Sequence, residues 1–395
     1  MARSLTKLWT SGLQRLVEIQ TRQWHTATQQ PPPAATKAAK RTAGPPAQPT
    51  PRQNKNSSGP IRDVTHPATE ARESRVRPRA AAWANGEWTR SFHSAPPAPG
   101  RLVNHLAYGL YIPAGRALAQ MPLVVMLHGC KQSIEAFAEG TRMNLLADRF
   151  GFAVVYPEQS KHAHPHRCWH WYDTGDHAGE NEARAVVSLV DALLVEHEFD
   201  GERVYIAGLS AGAGLATQLA LRYPWRFAAV ALHSGPAFGE ARSAIAAMDV
   251  MRRGVRHDPV ALVEQALDVA AYPGMPALVL QGTDDRVVAA VNATQLTAAL
   301  AHLNRFTALD PVYESTADGV IRRDYVRDGR AVVQLCEVPG LGHAWSGGDD
   351  TVPFHSAIGP DASVLLWEFF SQQRRRAARA STTPATPGVR PGDFW

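Results

Sequence analysis

Ser210 stands in the run Gly208-Leu-Ser-Ala-Gly212, which an apolar stretch (203–207) enters and a small-residue stretch (211–222) leaves. A Gly-x-Ser-x-Gly alone means little in a chain with 30 glycines. Its setting between a strand-like and a helix-like segment is what makes it a nucleophile elbow, a turn that strains the serine backbone and lifts its hydroxyl into the open. A serine hydroxyl is inert without a base, and the base needs an orienting carboxylate. Downstream, the acidic pair Asp284-Asp285 follows the apolar run 277–281, and His343 sits in a glycine-rich loop after the run 332–338. The order serine, acid, histidine is the one this elbow requires. His233, His257, His302 and His355 are rival bases, but none follows a terminal strand so directly. By position, either Asp284 or Asp285 could be the acid. The implied chemistry is acyl transfer, in which the negative oxygen needs fixed N–H donors. The Ala211 amide is one candidate. The Cys130 amide, in the loop His128-Gly-Cys-Lys-Gln132 after the run 123–127, is the other. With the elbow present, the Cys130 thiol is the weaker nucleophile candidate.

Two tryptophans join the site list as substrate contacts: Trp345, two residues after the proposed base, and Trp169. Trp169, Trp171 and Tyr172 could wall a cleft or pack beneath it. The segment His162-Ala-His-Pro-His166-Arg-Cys168-Trp-His170 pairs imidazoles with a thiol, yet alternate histidines lack an established zinc-ligand spacing. No metal site is expected.

These residues must be held by a scaffold, and between 101 and 371 strand-like and helix-like runs alternate. That pattern predicts an α/β fold: a mostly parallel central sheet with helices on both faces. Strands are expected at 106–112, 123–127, 153–156, 203–207, 228–232, 277–281 and 332–338, and helices at 134–149, 180–197, 211–222, 289–303 and 361–376. The strands are apolar without strict alternation, as when both faces are buried. The less regular stretch 236–275 reads as an excursion over the ligand-binding edge.

Charge is segregated along the chain. Residues 1–100 hold 15 Lys and Arg against 5 Asp and Glu, and residues 101–370 hold 21 against 30. The net charge of +5 therefore reports basic tails around an acidic body and is poor evidence for specific nucleic-acid binding. Residues 1–27 read as a basic amphipathic helix suited to a polymer-granule or anionic membrane surface, or to docking on its own domain. Residues 28–100 read as a disordered Pro/Ala/Arg-rich linker, with order beginning near 83–92, and residues 372–395 as a basic tail. Three cysteines are too few for a disulfide scaffold. Three free thiols in a reducing cytosol, or one bridge with a leftover thiol, are the readings. The N-terminus makes a poor signal peptide, so the expected location is cytoplasmic, with granule attachment as a variant.

The segments PLVVMLHGCKQS, FAEGTRMNLLADRFGFAVVYPEQS, RCWHWY, RVYIAGLSAGAGLA, LHSG and GHAWSGG run in order through residues 101–371. Together they resemble the polyhydroxybutyrate depolymerase family of esterases, a branch of the α/β-hydrolases that includes feruloyl and acetylxylan esterases. The resemblance implies Ser210, Asp285 and His343 as a triad, selecting Asp285 over Asp284, and the Cys130 amide as an oxyanion donor. It implies hydrolysis of short-chain poly(3-hydroxyalkanoate) or its oligomers, without a cofactor. The sequence differs from the family at Ala213-Gly214, where Gly then a small residue is commoner, and at Asp284, where a small residue often stands. A feruloyl or acetyl carboxylesterase is the alternative enzyme. A granule-surface scaffold is the alternative outside catalysis.

Overall fold

The apolar runs become the strands of one sheet in a computed structural model that describes residues 84–97, 104–172, 177–317 and 319–375. The strands are β1 (Glu87–Ser94), β2 (His105–Ile112), β3 (Leu123–Leu127), β4 (Ala153–Glu158) and β5 (Val204–Leu209). They continue as β6 (Ala229–His233), β7 (Ala277–Gly282), β8 (Val312–Ala317), β9 (Val320–Arg327) and β10 (Arg330–Val338). Their spatial order is β1-β2-β4-β3-β5-β6-β7-β10-β9-β8. The pairs from β4 through β10 are parallel, while β1, β2, β9 and β8 add antiparallel edges.

The helices among the described residues are α1 (Ile134–Thr141), α2 (Met143–Phe150), α3 (Ala178–Glu196) and α4 (Ala211–Arg222). They are followed by α5 (Ala244–Arg253), α6 (Pro259–Ala266), α7 (Val291–Leu303) and α8 (Ala362–Ser371). On β3, Leu123, Val125 and Leu127 point to one core, shared with Leu189 of α3, Leu215 of α4 and Leu296 of α7. Val124 and Met126 point to a second core with Phe137 of α1, Ala147 of α2 and Leu366 of α8. Successive side chains alternate across a strand, so two covered faces require an unbroken apolar run.

Four expectations change. The fold begins earlier than residue 101: β1 lies within the stretch read as linker, near the 83–92 point where order was expected to begin, and its half-exposed edge position explains its polar sequence. Residues 1–27 and most of 28–100 lie outside the described residues, as do 376–395. Residues 372–375 pack on the body, where the Arg374 guanidinium meets Asp200 and Glu202. The single helix expected at 134–149 is two, because Arg142 adopts φ 55° and ends α1. Finally, β8 and β9 were not expected. The β9–β10 connection is an Asp328-Gly329 pair with φ 51° and 73°, the positive values that a tight hairpin turn needs.

Cys130 and Cys168 form a disulfide, which replaces the reading of three free thiols. The remaining thiol, Cys336 on β10, is buried, and burial pushes it up to about 12.

Candidate active site

Four neighbouring parallel strands deliver the site at their C-terminal ends, where ligands of open α/β sheets bind. In sheet order these are β5 leading to Ser210, β6 ending at His233, β7 leading to Asp285 and β10 leading to the His343 loop.

Ser210 has φ 57° and ψ −120°, a conformation that costs of order 1–3 kcal/mol for a residue other than glycine. The turn is held by its amide, which donates to the His233 carbonyl at 2.9 Å, and its carbonyl, which accepts from the Gly214 amide at 3.0 Å. Gly212 is required by contact rather than by torsion: a Cβ there would lie 2.2 Å from the Leu127 carbonyl oxygen. That close approach brings the loop after β3 against the elbow. The departure at Gly214 has a similar cause, since a Cβ there would meet the Trp171 side chain at 2.5 Å. Ser210 occupies the N-cap of α4 without using its hydroxyl to cap the helix. The hydroxyl is thereby left for other work beside the positive end of the helix dipole.

His343 Nδ1 donates to Asp285 Oδ2 at 2.7 Å, and both side chains are buried. With its hydrogen on Nδ1, the neutral ring carries its lone pair on Nε2. Asp285 Oδ1 accepts the Val287 and Val288 amides at 2.9 and 2.8 Å, and Gln281 Nε2 donates to Oδ2 at 3.2 Å. Burial alone would raise this carboxyl. The His343 charge, its hydrogen bond and the two amides outweigh that, so it lies below the usual carboxylate range. Asp284 turns elsewhere: its Oδ1 accepts from Thr283 Oγ1 and the residue is exposed.

The loop after β3 carries the second candidate donor. His128 is buried, with Nε2 accepting the Gln159 amide at 3.0 Å. Its hydrogen must then sit on Nδ1, which donates to the Gly129 carbonyl at 2.8 Å. In a trans peptide the C=O and N–H are opposed, so this bond points the Cys130 N–H away from the imidazole. Burial holds the His128 ring down to about 4, so it stays neutral at working pH. A Cβ on Gly129 would lie 3.5 Å from Ser210 Cβ, which measures how closely the loop meets the elbow. Among the described residues, neither the Cys130 nor the Ala211 amide donates to a protein acceptor. The Cys130–Cys168 bridge, the Lys131 amide on the His166 carbonyl and Trp169 Nε1 on the His128 carbonyl fix this loop from outside.

The two tryptophans expected to touch substrate are both packed inside: Trp345 is 0% exposed, and Trp169, at 1%, lines a cavity with Gln159, His170 and Glu182. Trp345 lies under the site, stacked on His233 and edge-on to Phe137, with Nε1 donating to Ser363 Oγ. The rival histidines are placed elsewhere. His257 pairs with Glu240 and His302 with Glu264, while His355 is buried against Phe137 and Gly140. In the His162–His170 segment, Cys168 is bridged, His164 Nδ1 accepts the His166 and Cys168 amides, and His170 pairs with Glu182. Among the described residues no group of three or more His, Cys, Asp or Glu could hold a metal ion. Sequence reasoning missed the supporting parts played by the His128 ring, Gln281 and His233. The position of His128 just before a donor loop was the one available signal.

Residues 106–318 match the family model described as Esterase PHB depolymerase. The chain is similar to poly(3-hydroxyalkanoate) depolymerase C of Paucimonas lemoignei, 32% identical over 240 residues, which are 59% of this chain and 57% of that protein. It is also similar to feruloyl esterase B of Thermothelomyces thermophilus, 38% identical over 125 residues, 31% of this chain and 42% of that one. It thus spans about half the length of these curated relatives. Among solved structures, an acetyl xylan esterase from Aspergillus awamori aligns with a TM-score of 0.57 at 18% identity, over 72% of this chain and 99% of that one. That likeness shows the fold, an α/β-hydrolase.

Proposed function

This chain belongs to the Esterase PHB depolymerase family, and on that premise we propose that it is a serine esterase acting through Ser210, His343 and Asp285. The observation that carries the reading is the buried His343–Asp285 pair at 2.7 Å, on the loops beside a strained serine elbow. His343 Nε2 takes the Ser210 proton as the hydroxyl oxygen attacks an ester carbonyl, and Asp285 holds the ring in the required tautomer. The Ala211 and Cys130 amides stabilise the tetrahedral oxyanion, His343 returns the proton to the leaving alcohol, and water releases the acid by the same route.

The substrate proposed is a short-chain poly(3-hydroxyalkanoate) or its oligomers. The similarity to a poly(3-hydroxyalkanoate) depolymerase reaches across more of the chain than that to a feruloyl esterase, which supports the choice. Feruloyl or acetyl ester cleavage is the second reading, favoured by the higher identity over the shorter stretch. Residues 1–27, outside the described residues, would carry the enzyme to a polymer granule or an anionic surface.

The test is turnover of hydroxybutyrate oligomers, polymer film and feruloyl esters by wild type and Ser210→Ala. Loss of roughly 10³-fold or more in the variant is expected, the scale of removing a triad member. Cleavage of feruloyl esters alone would overturn the substrate. Folded protein whose Ser210 ignores a fluorophosphonate would favour a granule scaffold.

A further inference from the structure

His233 was a rival for the catalytic base, and the structure puts it beneath the site instead. It ends β6, registered with Leu209 of β5 on one side and Leu280 of β7 on the other. Its carbonyl accepts the Ser210 amide, and the next amide, Ser234, donates to the Leu280 carbonyl at 2.9 Å. Its ring reaches a third element, the loop that carries His343. The imidazole stacks on Trp345 with centroids 5.1 Å apart at 24°, and Nε2 accepts the Ser346 amide at 3.2 Å. An amide nitrogen only donates, so Nε2 holds the lone pair and the hydrogen lies on Nδ1, facing Ser234 Oγ at 3.2 Å.

We infer that His233 is a positioning residue that fixes His343 relative to Ser210: its main chain grips the nucleophile's amide, and its ring grips the two residues that follow the base's neighbour Ala344. The inference rests on the esterase reading above. Asp285 fixes the His343 ring from one end, but the chain around it, from Gly340 to Gly348, forms no helix or strand. The stack and the Ser346 hydrogen bond hold that chain against the sheet end that bears the serine. Other bonds tie the loop elsewhere: the Asp284 amide donates to the Leu341 carbonyl at 3.0 Å, the Gly340 amide to Thr283 Oγ1, the Trp345 amide to the Phe354 carbonyl and Trp345 Nε1 to Ser363 Oγ, while the Ser346 bond ties it to β6. A misplacement of about 1 Å can cost 10²-fold in rate with little loss of fold. The ring must also remain uncharged, because a second cation beneath the site would oppose the positive charge that His343 gains during turnover. Burial first, and then the nearby His343, hold it down to about 3.

Two variants separate the ring's parts. His233→Phe keeps an aromatic face for Trp345 but offers the Ser346 amide no acceptor. His233→Gln offers an acceptor without the stack. For ester hydrolysis, His233→Phe is expected to lower kcat roughly 10- to 100-fold with KM within about threefold of wild type. His233→Gln is expected to recover at least part of that loss. The rate of Ser210 labelling by a fluorophosphonate should fall in parallel, and active-site titration corrects every rate for the folded fraction. Wild-type kcat and labelling rate in both variants, or a change in KM alone, overturns the inference. If His233→Phe does not fold, His233→Leu, which offers neither an acceptor nor an aromatic face, takes its place, and wild-type kcat and labelling rate in it overturn the inference. Wild-type protein inert to both ester and fluorophosphonate fails the esterase reading itself, and the inference with it.

Discussion

Asp285 is a buried charge made tolerable by donors, and its four partners do not count equally. Two backbone amides hold Oδ1, and His343 and Gln281 share Oδ2. Asp285→Asn keeps the shape but presents an amide N–H that favours the wrong His343 tautomer, so kcat is expected to fall about 10⁴-fold. Gln281→Leu removes one of four donors, so a kcat loss of less than about tenfold is expected. Steady-state kinetics of both variants check the ranking, and equal losses would contradict it. At this scale the sequence named the serine, the histidine and an acidic pair. It could not separate Asp284 from Asp285 by pattern, because adjacent side chains diverge with the path of a loop that has no period. It also set Trp345 in contact with substrate. Nearness along the chain to the base did not reveal that the loop turns this side chain inward, onto His233 and Phe137.

The elbow and the loop after β3 act as one element. Gly212 lets α4 start against the end of β3, and a methyl group there would press on the Leu127 and His128 carbonyl oxygens, backbone that cannot swing away. Gly212→Ala is expected to cost about 3 kcal/mol or more, the upper range for overpacking, read as a lower urea midpoint. The Cys130–Cys168 bridge closes 38 residues and is expected to add about 2–4 kcal/mol. The double variant Cys130→Ser, Cys168→Ser should lose that stability. Its kcat should drop less than about tenfold, because the Lys131, Trp169 and His128 bonds still hold the Cys130 amide in place. A larger loss of rate than of stability would show the bridge to be the main restraint. The central strands were legible as elements because burial on both faces leaves an unbroken apolar run. The β8–β9–β10 hairpins were less so: β8 is exposed along its length, so its sequence carries no apolar period, and the signals left are the two Asp-Gly pairs, at 318–319 and 328–329. The break at Arg142 had no sequence signal, since a left-handed arginine is set by what packs around it. His355 fills the space over Gly140, and Ser363 takes the Thr141 carbonyl.

At the scale of the molecule, four buried imidazoles among the described residues weigh on the response to acid. Burial holds His128, His164 and His355 down to about 4 and His233 to about 3. Unfolded, each would bind a proton near pH 6.5, so below that value the unfolded state holds more protons. Their contribution to stability is complete above pH 6.5 and is lost as pH falls toward 4, at up to about 1.4 kcal/mol per pH unit for each ring. Asp285 acts later. Its carboxyl is lowered in the folded state, so its contribution is present above about pH 4 and lost only below. The melting temperature is therefore expected to fall steeply between pH 6.5 and 4.5, and His355→Gln should flatten that slope. An unchanged slope would show that His355 is not among the groups responsible.

The Cys336 side chain, sealed within the sheet, makes the protein a reporter of its own opening. With the other two cysteines bridged, the native chain presents no thiol to an aromatic disulfide reagent. In urea it should release one equivalent of colour, and after reduction in urea three. Because β10 pairs with β7, the strand that leads to the acid, the slow colour that appears without denaturant would time how often the catalytic edge of the sheet comes apart.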